Sequence, residues 1–537
     1  MPEFNLLDEP WILVTKQDGS KQQQSLLEVF QNAHLIKRIS GETETQNVSI
    51  LRLCLSILHT VVRRYDINGN KLIVKDKYDA IDRWAEWWEM KQFPIEIITD
   101  YLENWRDHFY LFSEDHPFYQ DSVVGMELKA DYKKVTDRNS IQKVANNYLS
   151  CGKLVGYLSE SGNKKRLFRA ENQQSISYAE AARWLVNFMN VDDKSIKKPT
   201  PKVCGSLGEI GCVYAEEDTL YETLMFNLTM DKLQGDDEIP CWEGSQRIGE
   251  NHIQPIIGLA QWYTLQVRRV YLDHKNGRVI GFKAKAGDCF NEVPLFEPMT
   301  SWKKEKKGGV AQISPRKHRS EIAFWRNLSL LLTESEENGR PGIIDWLVEL
   351  KAEGYIDSDK YLTFSTVGLE YGTMISSIKN SFSDSVGMAA ILLEDKSEAQ
   401  RLCVLQQIDI TKEFANRFAE LSEDVFLASG GDEGENRSSI TNVRNKAKGD
   451  FYAAVDLPFR IWLSKVGKEC NTIQEIETSW WEIVSMESRK LCDQLMRDIP
   501  ETSVFGRKGR SAAKAYNKYL YNTYNVERVL GGREKKK

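Results

Sequence analysis

No two cysteines of this 537-residue chain are spaced C-x-x-C, which removes the usual zinc ribbons, zinc fingers and dithiol redox sites. The nine cysteines are odd in number and scattered from 54 to 492, as expected of reduced thiols in a cytosolic protein. No G-x-x-x-x-G-K-[ST] loop is present to cradle a nucleotide phosphate, and no H-E-x-x-H to hold a catalytic zinc. The seven histidines stop at His318 and show no ligand spacing. No apolar run approaches the roughly 20 residues of a membrane helix, and the N-terminus does not resemble a signal peptide. Excess positive charge is absent too: the net charge is −6, so any polyanion must be met by local basic patches. These absences point to a cytoplasmic binding protein rather than an enzyme, with no metal, no cofactor and no membrane partner.

What is present begins with length. A chain of 537 residues exceeds one core and divides into at least two domains. Its 41% hydrophobic and 28% charged residues are ordinary for a globular protein. Most of the fourteen tryptophans belong in cores and subunit contacts. The most informative segment is Lys194-Ser-Ile-Lys197-Lys198-Pro199-Thr-Pro201-Lys202-Val-Cys204-Gly205-Ser206-Leu207-Gly208-Glu-Ile-Gly211. Its two prolines, with no apolar period, forbid a helix. Its glycines let the backbone come close to a partner, and its lysines favour a polyanion as that partner.

Before this loop, Ser25 opens a helix, and helical periods run over Ile50–Arg64, Lys77–Glu89, a segment ending in Trp105–Phe112, and Tyr178–Met189. The pattern near residues 268–283 is alternating and broken by Asn276-Gly277, a strong hairpin signal. A basic stretch spans Trp302–Arg319. Beyond residue 384, helices are expected at 384–395, 398–428, 440–468 and 474–498, followed by 509–530. A stripe of Leu402, Leu405, Phe414, Phe418, Leu421 and Val425 faces inward. The fold class is α+β: a mixed α/β N-terminal domain over 1–380 and a C-terminal antiparallel four-helix bundle over 381–537.

Eight landmarks occur in order: Asn5-Leu6-Leu7-(x)3-Trp11-Ile12, Phe109-x-Leu111-Phe112 through His116-Pro117-Phe118-x-Gln120, and Ala179-x-Ala181-Ala182-Arg183-Trp184-Leu185. Then come Gly205-x-Leu207-Gly208, Thr219-Leu220-x-Glu222-Thr223-Leu224-x-x-Asn227-Leu228, Pro255-x-x-Gly258-Leu259-x-x-Trp262, Glu297-Pro298-Met299-Thr300 and Gly368-Leu369. Together they resemble the CasA family, the large subunit of the type I-E Cascade CRISPR surveillance complex. The resemblance covers essentially the whole chain.

It implies a non-catalytic subunit that joins other Cascade subunits and guide crRNA. Such a subunit reads the short flanking motif (the PAM) of double-stranded target DNA from the minor groove, helps start strand separation, and helps recruit a helicase-nuclease. A structural scaffold without DNA readout is the alternative. Carried onto this chain, the resemblance puts the PAM loop at Lys202, Gly205, Ser206 and Gly208, and a hairpin lysine at Lys285 or else Lys283. Gly372, Thr373 and Met374 form the wedge, with Thr373 and Met374 standing where relatives often carry glutamine then alanine. Phe168 falls at a position that touches the guide RNA, with a core phenylalanine as the other reading. Lys303, Lys304, Lys306, Lys307, Lys514 and Lys518 are phosphate contacts or solvated charge. Some relatives hold zinc near the hairpin; Arg268–Lys285 contains no cysteine, so no metal is expected.

Overall fold

Helix Glu44–Arg64 forms the centre of the larger of two compact units into which the chain divides. Thr43 caps it by accepting the Gln46 amide, and it packs against helices Tyr178–Val191 and Leu259–Tyr263. By length and composition this helix could cross a membrane, yet its apolar window is 100% buried inside the protein. The expectation that no segment comes near membrane-helix length is corrected here. The helix hides its hydroxyls against its own backbone: Ser49 Oγ and Thr60 Oγ1 each donate to the carbonyl four residues back at 2.8 Å.

The computed structural model describes residues 3–135, 141–155, 158–159, 168–169, 175–192, 204–230, 238–244, 253, 255–307, 310–335, 337–371, 378–432, 434, 437–506 and 510–524. The first unit holds small, mostly antiparallel sheets rather than one large one. Strands Ile12–Lys16 and Lys21–Gln24 form a hairpin turned at Gly19 (φ +82°) and are joined by Ile36–Ile39. Ser25 then opens helix Leu26–Gln31 with a reciprocal capping box to Glu28. Strands Arg268–Lys275 and Arg278–Ala286 pair across Asn276 (φ +52°) and Gly277 (φ +72°), the positive-φ pair that the Asn-Gly signal requires. A further sheet orders Cys212–Glu216, Tyr361–Tyr371 and Ile378–Ala389.

Two local expectations change, and one basic stretch gains an element. Helix Ile95–Glu103 ends early; a 3₁₀ turn at Arg106–Phe109 leads into strand Tyr110–Phe112, which pairs with Glu3–Asn5. The basic stretch at 302–319 contains a hairpin, Trp302–Lys307 with Val310–Pro315. The helix expected at 384–395 is instead the end of strand Ile378–Ala389 followed by a 3₁₀ turn over Ala390–Leu393. There Val386 and Met388 are buried on one face, a period of two that the apolar tail Ala389–Leu393 had obscured.

The second unit gathers Trp325–Leu332, Ile356–Leu362 and Val386–Lys537. Helices Glu398–Ala428, Ser438–Leu463, Ile473–Arg497 and Ala512–Tyr524 are its long elements, and the first packs on the other three. The inward stripe runs Cys403, Val404, Gln407, Ile410, Phe414, Phe418, Leu421, Val425. Leu402 is exposed, because counting back from Phe414 at 3.6 residues per turn reaches Gln407 and Cys403 rather than Leu402. Trp480 donates to Thr411 Oγ1 at 2.9 Å, so the polar positions of the stripe are used within the core.

Candidate nucleic-acid interface

The lysine loop is rooted in helix Tyr178–Val191, capped by Ser177 and buried along most of its length. At its end, Asp192 receives Arg268 Nε at 2.6 Å and Lys153 Nζ at 3.1 Å, all three nearly inaccessible. Residues 193–203, including Lys202, lie outside the described residues. The chain returns at Cys204, whose amide donates to Glu209 Oε1 at 2.9 Å, and makes one helical turn over Ser206–Glu209.

Gly205, Ser206 and Gly208 are all buried in this turn. The Gly205 amide donates to the Asp192 carbonyl at 3.2 Å and the Gly208 amide to the Gly205 carbonyl at 2.9 Å. Ser206 Oγ donates to Asn190 Oδ1 at 3.0 Å. A Cβ on Gly205 would sit 2.5 Å from Val191 N and closer still to the Asn190 carbonyl. One on Gly208 would strike the Tyr371 hydroxyl, and one on Gly211 the Arg316 carbonyl. The close backbone approach read from these glycines is therefore present, and the approaching groups belong to this same chain.

Lys283 and Lys285 sit on strand Arg278–Ala286, away from its Asn276-Gly277 tip, and face helix Ser122–Tyr132. Lys283 is 5% exposed and reaches Asp131 Oδ2 at 2.7 Å and Glu127 at 3.4 Å. Lys285 reaches Glu127 Oε1 at 2.7 Å. Lys283 and Lys134 hold the Asp131 carboxyl below its usual range against the opposing effect of burial. These lysines tie the hairpin to the helix.

The second hairpin offers more accessible charge. Trp302 and Lys303 pair with Gly339 and Asn338 as well as with Val310–Pro315; beyond them the hairpin continues as two strands. Lys306 is exposed, Lys304 half-buried, and Lys303 pairs with Glu305. No carboxylate among the described residues pairs with Lys304 or Lys306. Strand Val310–Pro315 runs directly into Arg316–His318, which packs on the glycine turn: Lys317 Nζ bonds the Gly208 carbonyl at 2.7 Å. Burial lowers the His318 pKa to about 4, with Arg316 adding to the effect.

Phe168 belongs to a two-residue strand paired in parallel with Leu158–Ser159, and its side chain lies outside the described residues. Gly372, Thr373 and Met374 also lie outside them. Lys514 and Lys518 are exposed on helix Ala512–Tyr524, and Lys518 pairs with Asp424 at 3.5 Å.

Two other landmarks meet at one buried carboxylate. Glu297 Oε2 accepts from Arg52 Nη2 at 2.9 Å and from the Trp262 indole, and Oε1 accepts the Met299 amide at 2.8 Å. Glu238, also buried, accepts the Leu259 and Ala260 amides at 3.1 and 2.6 Å beside Gly258. Asn227 Nδ2 donates to the Ala215 carbonyl at 2.7 Å and its Oδ1 accepts the Ala215 amide. Gln120 links Leu111 O to Leu272 N in the same manner. A run of framework residues in fixed order is what a protein family preserves, and the model of one family, CRISPR-associated protein Cse1, matches residues 5–489.

The chain belongs to the Cse1 family. A curated relative, CRISPR-associated protein CasA/Cse1 of Thermus thermophilus, is 28% identical over 350 residues. That alignment covers 62% of this chain and 61% of the relative's length. The crystal structure of Thermobifida fusca Cse1 superposes with a TM-score of 0.79 at 25% identity, covering 97% of this chain and 98% of that one. A chain of a CRISPR RNA-guided surveillance complex shares the fold, with a TM-score of 0.69 at 15% identity and coverage of 98% and 100%. The α+β class read from the sequence is thus the Cse1 fold.

Proposed function

We propose that this chain is the large, non-catalytic subunit of a type I-E Cascade complex in the cytoplasm. In this reading it assembles with other Cascade subunits and guide crRNA. It recognises the PAM of double-stranded DNA through the minor groove, helps start strand separation, and helps recruit the helicase-nuclease. Membership of the Cse1 family supports the assembly. The DNA contact is supported by one observation: lysines Lys304 and Lys306, unpaired with any described carboxylate, stand on a hairpin that leads directly into the packing around the glycine turn.

Lys202 and its neighbours supply the loop contact in this proposal, and Gly205, Ser206 and Gly208 hold the loop's root. Lys304 and Lys306 take the hairpin contact, with Lys303 and Lys307 beside them on phosphate; Lys283 and Lys285 anchor the other hairpin. Gly372, Thr373 and Met374 follow Tyr371 as the wedge, Phe168 meets the guide RNA, and Lys514 and Lys518 add phosphate contacts. A degenerate minor-groove pattern admits more than one PAM. A scaffold role is the second reading, favoured by the fact that the Gly205 and Gly208 amides are already bonded within the chain.

Gel-shift titration of the assembled complex separates the two. A PAM duplex should bind more tightly than a scrambled one, and Lys304→Ala with Lys306→Ala should lower affinity. The salt slope should fall by about one for each phosphate contact removed. Equal binding of both duplexes by the wild-type complex refutes PAM reading and leaves the scaffold.

A further inference from the structure

Past strand Tyr110–Phe112 the chain turns at His116-Pro117 over a cavity of about 120 Å³, far more than one water needs. Buried Phe118, Tyr119 and Trp242 line its inside, and exposed His108, Asp115 and Val123 line its rim. The rings of His108 and His116, both in the lining, stack at 4.3 Å with 16° between their planes. Burial, with His116 adding to it, lowers the His108 pKa, so this imidazole is neutral at neutral pH and can accept a hydrogen bond.

Among the described residues no lysine or arginine lines the cavity, and its two carboxylates differ. Asp121 is already engaged: it pairs with Arg269 at 2.5 Å and accepts the Val123 and Val124 amides. Asp115 has neither an ion-pair nor a hydrogen-bond partner among the described residues. Ring faces beside an unpaired carboxylate are the complement of a planar guanidinium, which stacks on the first and forks onto the second. A phosphate would meet only like charge here. A free amino acid would bring a carboxylate that nothing in the described lining can receive. An arginine side chain on a protein brings neither. The surface beside the rim fits such a partner: Val123 and Met126, one turn apart on helix Ser122–Tyr132, are 50% and 65% exposed. Apolar flanks of this kind surround arginine anchors in protein interfaces.

We propose that this cavity is a docking site for an arginine side chain of another protein in the assembly, with Val123 and Met126 taking apolar contacts around it. The proposal rests on the assembly part of the function above and not on DNA reading.

Titration calorimetry of the full-length isolated chain with N-acetylarginine amide reads the cavity directly. The probe should bind, and its uncharged citrulline analogue should bind at least about tenfold more weakly. Asp115→Asn should weaken the probe about tenfold, the loss of one charge-assisted hydrogen bond, while Met126→Ser should leave it unchanged. Both substitutions should make the chain lose to wild type in competition for a place in the complex. The assembled wild-type complex, with its cavity filled, should not take up the probe.

No probe binding by the isolated chain overturns the proposal, as does equal binding by the chain and the complex. Arg247 lies three residues beyond Gly244 of the lining, so Arg247→Ala is measured alongside; binding that appears only in that variant seats the chain's own arginine there and also overturns it. Assembly unaffected by Asp115→Asn removes the docking site and leaves the proposed function standing. A wild-type chain that fails to assemble with Cascade subunits removes that function and the docking site with it.

Discussion

Substituting Glu297→Gln should destabilise the first unit severely while changing almost no volume. Arg52 and Glu297 are both fully inaccessible, and their ion pair measures 2.9 Å. Three N–H donors converge on the two carboxylate oxygens: Arg52, the Trp262 indole and the Met299 amide. Whichever way a carboxamide is turned, its NH2 faces at least one of those donors, and the guanidinium loses its counter-charge. Removing one partner of a buried pair costs about 3–5 kcal/mol. The Tyr263 ring, 4.2 Å from the Arg52 guanidinium carbon, offers cation–π compensation that sets the cost toward the lower end, about 3–4 kcal/mol. For a unit of about 370 residues, at ~2.1 cal/mol/K per residue, the entropy of unfolding is near 0.8 kcal/mol/K. The melting temperature should then fall by about 4–5 °C. Calorimetry of the isolated chain reads this directly. Replacing both partners, Arg52→Met with Glu297→Leu, should return more than half of the loss, since no charge then remains buried. A single substitution costing under about 1 kcal/mol, or a double as damaging as the single, would refute the account.

Two further outcomes are expected. Gly205→Ala should lower the stability of the isolated chain by about 1–3 kcal/mol with no DNA present, because its methyl meets the Asn190 and Val191 backbone, which cannot turn aside as a side chain can; a variant with unchanged melting temperature and lost duplex binding would instead place a nucleotide over that glycine. His318, with its pKa lowered to about 4 by burial, stays neutral in the folded chain while the unfolded chain takes up a proton near pH 6.5. It therefore removes stability as pH falls from about 6.5 to about 4, by at most about 3 kcal/mol, and contributes no pH dependence above that window. Chemical denaturation of wild type and His318→Phe at pH 7 and pH 4.5 checks this: the variant should lose less on acidification, and parallel curves would disprove it.

The readable parts of the fold were those specified by neighbours in sequence. Ser25 with Glu28, Asn276 with Gly277, and the apolar period over Lys77–Glu89 each carry their instruction within a few residues, and the structure follows them. The hairpin Trp302–Lys307 was hidden because lysines occupy both faces of its strand, which erases the alternation that marks a half-buried sheet. The strand ending at Ala389 was hidden for the opposite reason, an apolar tail that fits either period. Segments Trp325–Leu332 and Ile356–Leu362 join the second unit from far upstream, and only tertiary packing states that.

The landmarks that made the family recognisable behave differently from the residues that would make it work. Trp262, Glu297, Asn227 and Gln120 are each held in place by partners inside the same chain, so the chain itself constrains them and the set leaves an ordered trace in the sequence. A lysine that meets a phosphate is constrained by a molecule the sequence does not contain, and charge alone places it poorly. Lys283 and Lys306 look alike in a string of letters; one is 5% exposed against two carboxylates and the other stands on an open hairpin. The glycines show the same asymmetry from the other side. Their spacing announced a close approach, but whether a groove or Tyr371 approaches is decided by packing that lies 163 positions away from Gly208 in the chain. If that packing is what positions the loop, then glycine substitutions alone will confuse folding with recognition.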